Sequence, residues 1–138
     1  MWFDCGAGVN SSIIENNVLR NNESVSVGGG IHVEDINSGS LQILRNLIDN
    51  NTTGSNGGGI YINAGEDPLI QSNLIIDNCP ATSGGGVYAN NSVSNFEDNT
   101  VYGNTAVNSS CCMRVGAALD LIIMRTFQTN EEPRIKAG

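Results

Sequence analysis

The chain has 138 residues, enough for one domain with one core. Its formal net charge of −8, from six basic and 14 acidic residues, excludes nucleic acid and anionic membrane surfaces as partners, since both need clustered Lys and Arg. No stretch reaches the ~18 consecutive apolar residues of a membrane span.

The opening residues, Met1 to Cys5, lack the basic and apolar regions of a secretory signal. Gly and Asn dominate the rest of the chain, a composition that can mean disorder. Here apolar residues recur at fixed places between the polar ones, which points to a repeat. Its first motif is Asn-x-apolar-x-x-Asn, from Asn17 through Leu19 to Asn22. Six residues later stands the triplet Gly28-Gly29-Gly30, followed by Ile31-His32-Val33, whose alternation marks a strand facing inward at its first and third residues.

The same pair of motifs then returns. Asn46 to Asn51 precedes Gly57-Gly58-Gly59 and Ile60-Tyr61-Ile62, and Asn73 to Asn78 precedes Gly84-Gly85-Gly86 and Val87-Tyr88-Ala89. The triplets are 29 and 27 residues apart. A further motif runs from Asn99 to Asn104, and six residues on, Ser110-Cys111-Cys112 occupy the glycine slot ahead of Met113-Arg114-Val115. One more step places Arg125 where an Asn should stand and keeps Asn130, so the odd C-terminus reads as a degraded coil. Apolar residues also recur three before the first Asn (Ile14, Ile43, Ile70, Phe96, Ile122) and two after it (Leu19, Ile48, Ile75, Val101, Phe127).

These stations predict an all-β, single-stranded parallel β-helix of about five coils, 26–29 residues each. One domain spans residues 1–138, with 110–138 as its degenerate last coil; neither end carries an evident cap, which suggests a piece of a longer repeat protein. Stacking places Asn17, Asn46, Asn73 and Asn99 one above another at a bend, where each amide donates to one neighbour and accepts from the other. Asn itself tolerates the left-handed backbone that such a bend needs. Leucine-rich repeats are excluded because the Leu-x-Leu-x-x-Asn pattern is missing, and calcium-binding β-rolls because their Gly-Gly-x-Gly-x-Asp nonapeptides are absent.

With Gly-Gly-Gly-Ile-Tyr-Ile at 57–62, Gly-Gly-Gly-Val-Tyr-Ala at 84–89 and the Asn-x-apolar-x-x-Asn runs, the sequence resembles the parallel β-helix repeat proteins of bacteria. The Phe-x-x-Asn run from Phe127 to Asn130 makes it similar also to the repeats of polymorphic outer-membrane proteins. The resemblance covers roughly residues 1–136 and implies right-handed coiling, with an extracellular or outer-surface location. It specifies fold more than chemistry.

Function, if borne on the coils, belongs to the outward row His32, Tyr61, Tyr88 and Arg114, with Glu34, Asp35, Glu66 and Asp67 just beyond it. Aromatic rings beside carboxylates and amides suit a sugar, and polysaccharide-active β-helices, by resemblance, use this kind of strand face. The favoured expectation is a non-enzymatic, adhesin-like or structural surface protein with carbohydrate contact along the row. The alternative is a polysaccharide-degrading enzyme, a hydrolase pairing Glu34 or Asp35 with Glu66 or Asp67 across adjacent coils. A lyase is less well served, because Arg114 stands about two coils from Glu66. The lone His32 has no Ser or Cys beside it to form a triad. No cofactor is expected beyond weak Ca²⁺ binding by the acidic residues. Expected partners are a polysaccharide or cell-surface glycan and further coils of a parent chain. Arg20 and Asp49 should pair across neighbouring coils, and Cys79 falls on a turn as a free thiol.

Overall fold

A computed structural model describes residues 1–4, 11–34, 40–63, 68–80, 82–90, 95–106 and 113–115. Within these the chain winds through short strands, several per coil. The first coil contains β1 (Trp2–Asp4), β2 (Ser12–Glu15), β3 (Val18–Arg20) and β4 (Glu23–Ser24). The second contains β5 (Ile31–Glu34), β6 (Leu41–Leu44), β7 (Leu47–Asp49) and β8 (Thr52–Thr53). The third contains β9 (Ile60–Asn63), β10 (Leu69–Gln71), β11 (Leu74–Ile76) and β12 (Cys79–Pro80). The fourth contains β13 (Val87–Asn90), β14 (Asn95–Glu97) and β15 (Thr100–Tyr102), and β16 (Met113–Val115) opens the fifth.

Each strand pairs in parallel with its counterparts one coil away, which builds four sheets ordered β1-β5-β9-β13-β16, β2-β6-β10-β14, β3-β7-β11-β15 and β4-β8-β12. This is an all-β parallel β-helix. The register is the one the spacing implies: Ile14 pairs with Ile43, Ile43 with Ile70, and Ile70 with Phe96. The glycine-slot strands follow suit, with Ile31 opposite Ile60, Ile60 opposite Val87 and Val87 opposite Met113. Seating Met113–Val115 in the first sheet agrees with a fifth coil; the rest of residues 110–138 lies outside the described residues.

The core is a set of stacked aliphatic columns. Ile31, Ile60 and Val87 line one, Ile14, Ile43, Ile70 and Phe96 a second, and Ile48, Ile75 and Val101 a third, all of them buried. β-Branched residues suit this arrangement because their stiff side chains pack well on a pleated surface. Leu41 is also buried, although it lies outside the repeated stations.

The bends are built by hydrogen bonds as much as by apolar contact. Asn17 Nδ2 donates to Asn46 Oδ1 at 3.1 Å, Asn46 Nδ2 to Asn73 Oδ1 at 3.0 Å, and Asn73 Nδ2 to Asn99 Oδ1 at 2.9 Å. The backbone N–H of each donor residue reaches the same oxygen. The second amide hydrogen is used as well: Asn46, Asn73 and Asn99 donate backwards to the carbonyls of Ile14, Ile43 and Ile70. The expected ladder is therefore present, and it has a twin. Asn22, Asn51, Asn78 and Asn104 form a second ladder at 2.8, 2.9 and 2.9 Å.

One detail of the expectation needs correction. The left-handed residue is the one before each ladder Asn: Asn16, Arg45, Ser72 and Asp98 in the first column, Asn21, Asn50, Asp77 and Gly103 in the second. The ladder amides turn inward after the bend has been made. Cys79 likewise lies in β12, where the sequence suggested a turn, and its thiol is free.

Substituting one ladder residue should show how much the column carries. Asn73→Ala strands the Asn46 amide and backbone N–H in a dry interior, at about 1–3 kcal/mol per unsatisfied group. Urea unfolding is expected to record a loss of about 3 kcal/mol for Asn73→Ala and about 1 kcal/mol for Asn17→Ala, whose amide is only half-buried.

Candidate functional site

The outward row is laid down by the first sheet. His32, Tyr61, Tyr88 and Arg114 occupy the second position of β5, β9, β13 and β16, and the register sets His32 opposite Tyr61, Tyr61 opposite Tyr88 and Tyr88 opposite Arg114. The side chains of β16 lie outside the described residues. Trp2 joins the same register position, opposite His32. Sequence reading missed Trp2 because its only signal, the alternation of Trp2-Phe3-Asp4, has no glycine triplet before it.

The rings touch along this line. Tyr61 and Tyr88 are stacked with centroids 5.6 Å apart and planes within 1°. His32 meets Tyr61 in a T-shaped contact at 5.2 Å and 86°. Such pairs add roughly 0.5–1.5 kcal/mol each beyond burial. Tyr61 and Tyr88 thus lie parallel with faces turned to one another, and the His32 ring stands perpendicular to them. All three side chains are half-buried.

The glycine turn underlies this placement. Gly28, Gly57 and Gly84 have φ of 63°, 71° and 69°. A Cβ on these residues would stand 2.7 Å from the His32 Cβ, 2.8 Å from the Tyr61 Cβ and 2.7 Å from the Tyr88 Cβ. The first glycine of each triplet therefore makes the turn and also clears the space in which the row's side chain begins.

Two residues further on, Glu34, Asn63 and Asn90 stand opposite one another. Asn90 Nδ2 donates to Asn63 Oδ1 at 3.2 Å, a short amide ladder on the outer face. The Glu34 carboxylate lies 3.5 Å from His32 Nε2. Burial holds the His32 imidazole below its ordinary pKa, against the opposing pull of Glu34. Asp35, Glu66 and Asp67 lie outside the described residues, so the carboxylate pairs expected across adjacent coils are not among the contacts described. Elsewhere on the surface, Arg20 pairs with Asp49 at 2.6 Å, as expected. Arg45 pairs with Glu15 at 2.5 Å. Both pairs are well exposed on the arginine side and contribute under about 1 kcal/mol.

Fold and repeat define a parallel β-helix repeat protein. The family model for NosD, described as periplasmic copper-binding protein (NosD), matches residues 2–125, and the chain belongs to that family. No curated protein and no solved structure matches it significantly. Among the described residues no helix is long and apolar enough to cross a membrane.

The family overturns one expectation. The sequence suggested no cofactor beyond weak Ca²⁺, a hard cation held by oxygen, whereas the family is described by copper, which takes imidazole, thiolate and thioether ligands. The described residues do not supply such a centre. The chain has a single histidine, His32, which is engaged with Tyr61 and Glu34 on the first sheet. Cys79 stands alone on the fourth. Among the described residues no group of three or more His, Cys, Asp and Glu side chains is placed to hold a metal. Cys5, Cys111, Cys112, Met124 and the side chain of Met113 lie outside them.

The depressed His32 pKa has a consequence for stability. A base whose folded pKa lies below its unfolded value binds protons more readily in the unfolded chain. Its contribution to stability is full above the ordinary histidine value of 6.5 and falls as pH drops through it. Wild-type protein should lose stability to urea between about pH 7.5 and about pH 5.5, and His32→Gln should flatten that slope. The C2-proton titration of the single histidine should have its midpoint below 6.5.

Proposed function

We propose that this chain is a non-enzymatic β-helix of the periplasm or cell surface that contacts a carbohydrate polymer along the His32–Tyr61–Tyr88 row. The continuity of that row carries the reading: three ring side chains at 5.2 and 5.6 Å are flanked by the Asn63–Asn90 amide pair. An edge of phenol and amide groups repeated on two successive coils is suited to hydrogen-bonding hydroxyls on an extended ligand. The family's periplasmic description supports the location. The adhesin-like role follows from the same features, a rigid stack that presents one repeated contact at intervals fixed by the strand spacing.

The enzymatic alternative, a glycoside hydrolase or lyase on the same face, is less well supported. At the Glu34 register position the following coils carry Asn63 and Asn90. A hydrolase needs two carboxylates about 5–9.5 Å apart. Its candidates here reduce to Glu34 with Asp35, Glu66 and Asp67.

Affinity electrophoresis through gels containing neutral polysaccharides tests the binding reading. The wild-type chain should be retarded by at least one of them. The double variant Tyr61→Phe/Tyr88→Phe keeps the ring stack but loses both hydroxyls, at about 0.5–1.5 kcal/mol per hydrogen bond, so its retardation should fall severalfold. Unretarded wild-type migration in every gel would remove the reading. Reducing-sugar release that is lost on Glu34→Gln would replace it with the enzymatic one.

A further inference from the structure

We propose, building on the glycan-contact reading above, that the row takes a neutral, extended, β-linked glycan lying along the solenoid axis, one sugar residue per coil. The row is periodic. Tyr61 and Tyr88 repeat at 5.6 Å and His32 continues the line at 5.2 Å. A β-1,4-linked hexopyranose chain in its extended form advances by close to one strand spacing per residue. A polymer of that pitch meets a phenol and an amide on the two coils of Tyr61 and Tyr88, and an imidazole and the Glu34 carboxylate on the coil before them. An α-1,4-linked chain curls out of register after one or two residues.

The ring geometry narrows the ligand further. Sugar binding through C–H faces needs an exposed aromatic face, yet the Tyr61 and Tyr88 planes lie within 1° of one another and cover each other. The Tyr61–Tyr88 pair is therefore suited to contact through its edges and hydroxyls. Burial first, and then the neighbouring Tyr88 and Glu34, raise the Tyr61 phenol above its ordinary pKa. A phenol already keeps its hydrogen at neutral pH, and this shift only reinforces that, so Tyr61 can donate. Asn63 and Asn90 add an amide on each coil, half-buried and held in line by their own hydrogen bond. These are neutral donors and acceptors matched to hydroxyl groups.

Charge selects against acidic polymers. Glu34 sits at the edge of the row, and the whole chain carries −8. A polyuronate would bring one carboxylate per residue alongside Glu34 and the uncharged Tyr61, Tyr88, Asn63 and Asn90, and the one basic residue at the row's register, Arg114, stands at its far end opposite Tyr88. Repulsion between like charges brought close together disfavours that complex.

Isothermal titration of the full chain with β-1,4-glucan oligosaccharides of two to six residues reads out the proposal, beside α-1,4-glucan and oligogalacturonate series of equal length. Affinity should rise with each residue up to about three, one for each of the coils that carry His32, Tyr61 and Tyr88, and then level off. The α-linked series should bind at least tenfold more weakly, and the uronate series more weakly still at low salt. Asn63→Ala and Asn90→Ala, both surface changes whose folding is checked by circular dichroism, should each lower affinity severalfold, for the disaccharide as for the longer oligosaccharides. Equal affinity for α- and β-linked series, affinity independent of length, or a preference for the uronate would overturn the one-residue-per-coil assignment and leave glycan contact standing. Absence of binding to every oligosaccharide and every neutral polysaccharide would overturn both.

Discussion

The rest of the structure depends on a buried amide that has no spare hydrogen-bonding capacity. Asn46, Asn51, Asn73 and Asn78 are almost completely buried, and in each the two amide hydrogens and the oxygen are all engaged along the column. An amide in a dry interior is costly unless satisfied. Here satisfaction requires that the next coil present an Asn at the same height. A slip of one residue would turn the amide toward solvent and an aliphatic neighbour into the bend, so the ladders fix register in a way that apolar columns of interchangeable Ile and Val cannot. Hydrophobic burial drives the coils together, and the two ladders decide which residues meet.

The glycine turns connect this interior to the outer face. The second glycine of each inner triplet leaves no room for a side chain: a Cβ on Gly29 would collide with the Gly58 carbonyl, and one on Gly58 would stand 2.5 Å from that of Gly85. The turn thus stacks on itself through backbone alone, Gly57 N–H to Ser83 oxygen, Gly58 to Gly84 and Gly59 to Gly85. Four residues after the first glycine, the side chain of the row rises from the space that its missing Cβ leaves open. The aromatic line is in this sense a product of the same close stacking, and its pitch is inherited from the coils.

This division explains what could be read from sequence. The columns, their register and the first Asn ladder were legible because each rests on one residue type repeated at one spacing: Ile14, Ile43 and Ile70 need no coordinates to be matched. The second ladder is written in the same motif, in its closing residues Asn22, Asn51, Asn78 and Asn104, and only the opening residues are assigned a ladder from sequence. What hid it was the chemistry of the bend, since Asn is equally suited to a left-handed turn and to a buried amide column. The structure assigns the turn to the preceding residue, where Arg45, Ser72 and Asp98 serve as well. On the outer face, the membership of the row was legible from alternation. The mutual covering of its rings was not, because side-chain rotation is fixed by contacts between coils and leaves no pattern within one. Trp2 shows the limit of repeat logic at an end, where the preceding motif that would fix its phase is missing.

Family membership and site chemistry also separate cleanly along these lines. A coil constrains its inward and bend positions while leaving the outward ones free. His32, Tyr61 and Tyr88 share one register position, yet they differ in donor chemistry, and only one of them offers a metal-binding nitrogen. A copper centre built on such a face would need soft or imidazole ligands on neighbouring coils or on the connections between them. At the first of these places the next residue along the row from His32 is a tyrosine. An outward row of stacked phenols and amides offers neutral hydrogen-bonding groups, and the same scaffold with imidazoles in that row would offer metal ligands. The fold is indifferent between the two, because neither choice touches an amide of the ladder or a methyl of the core.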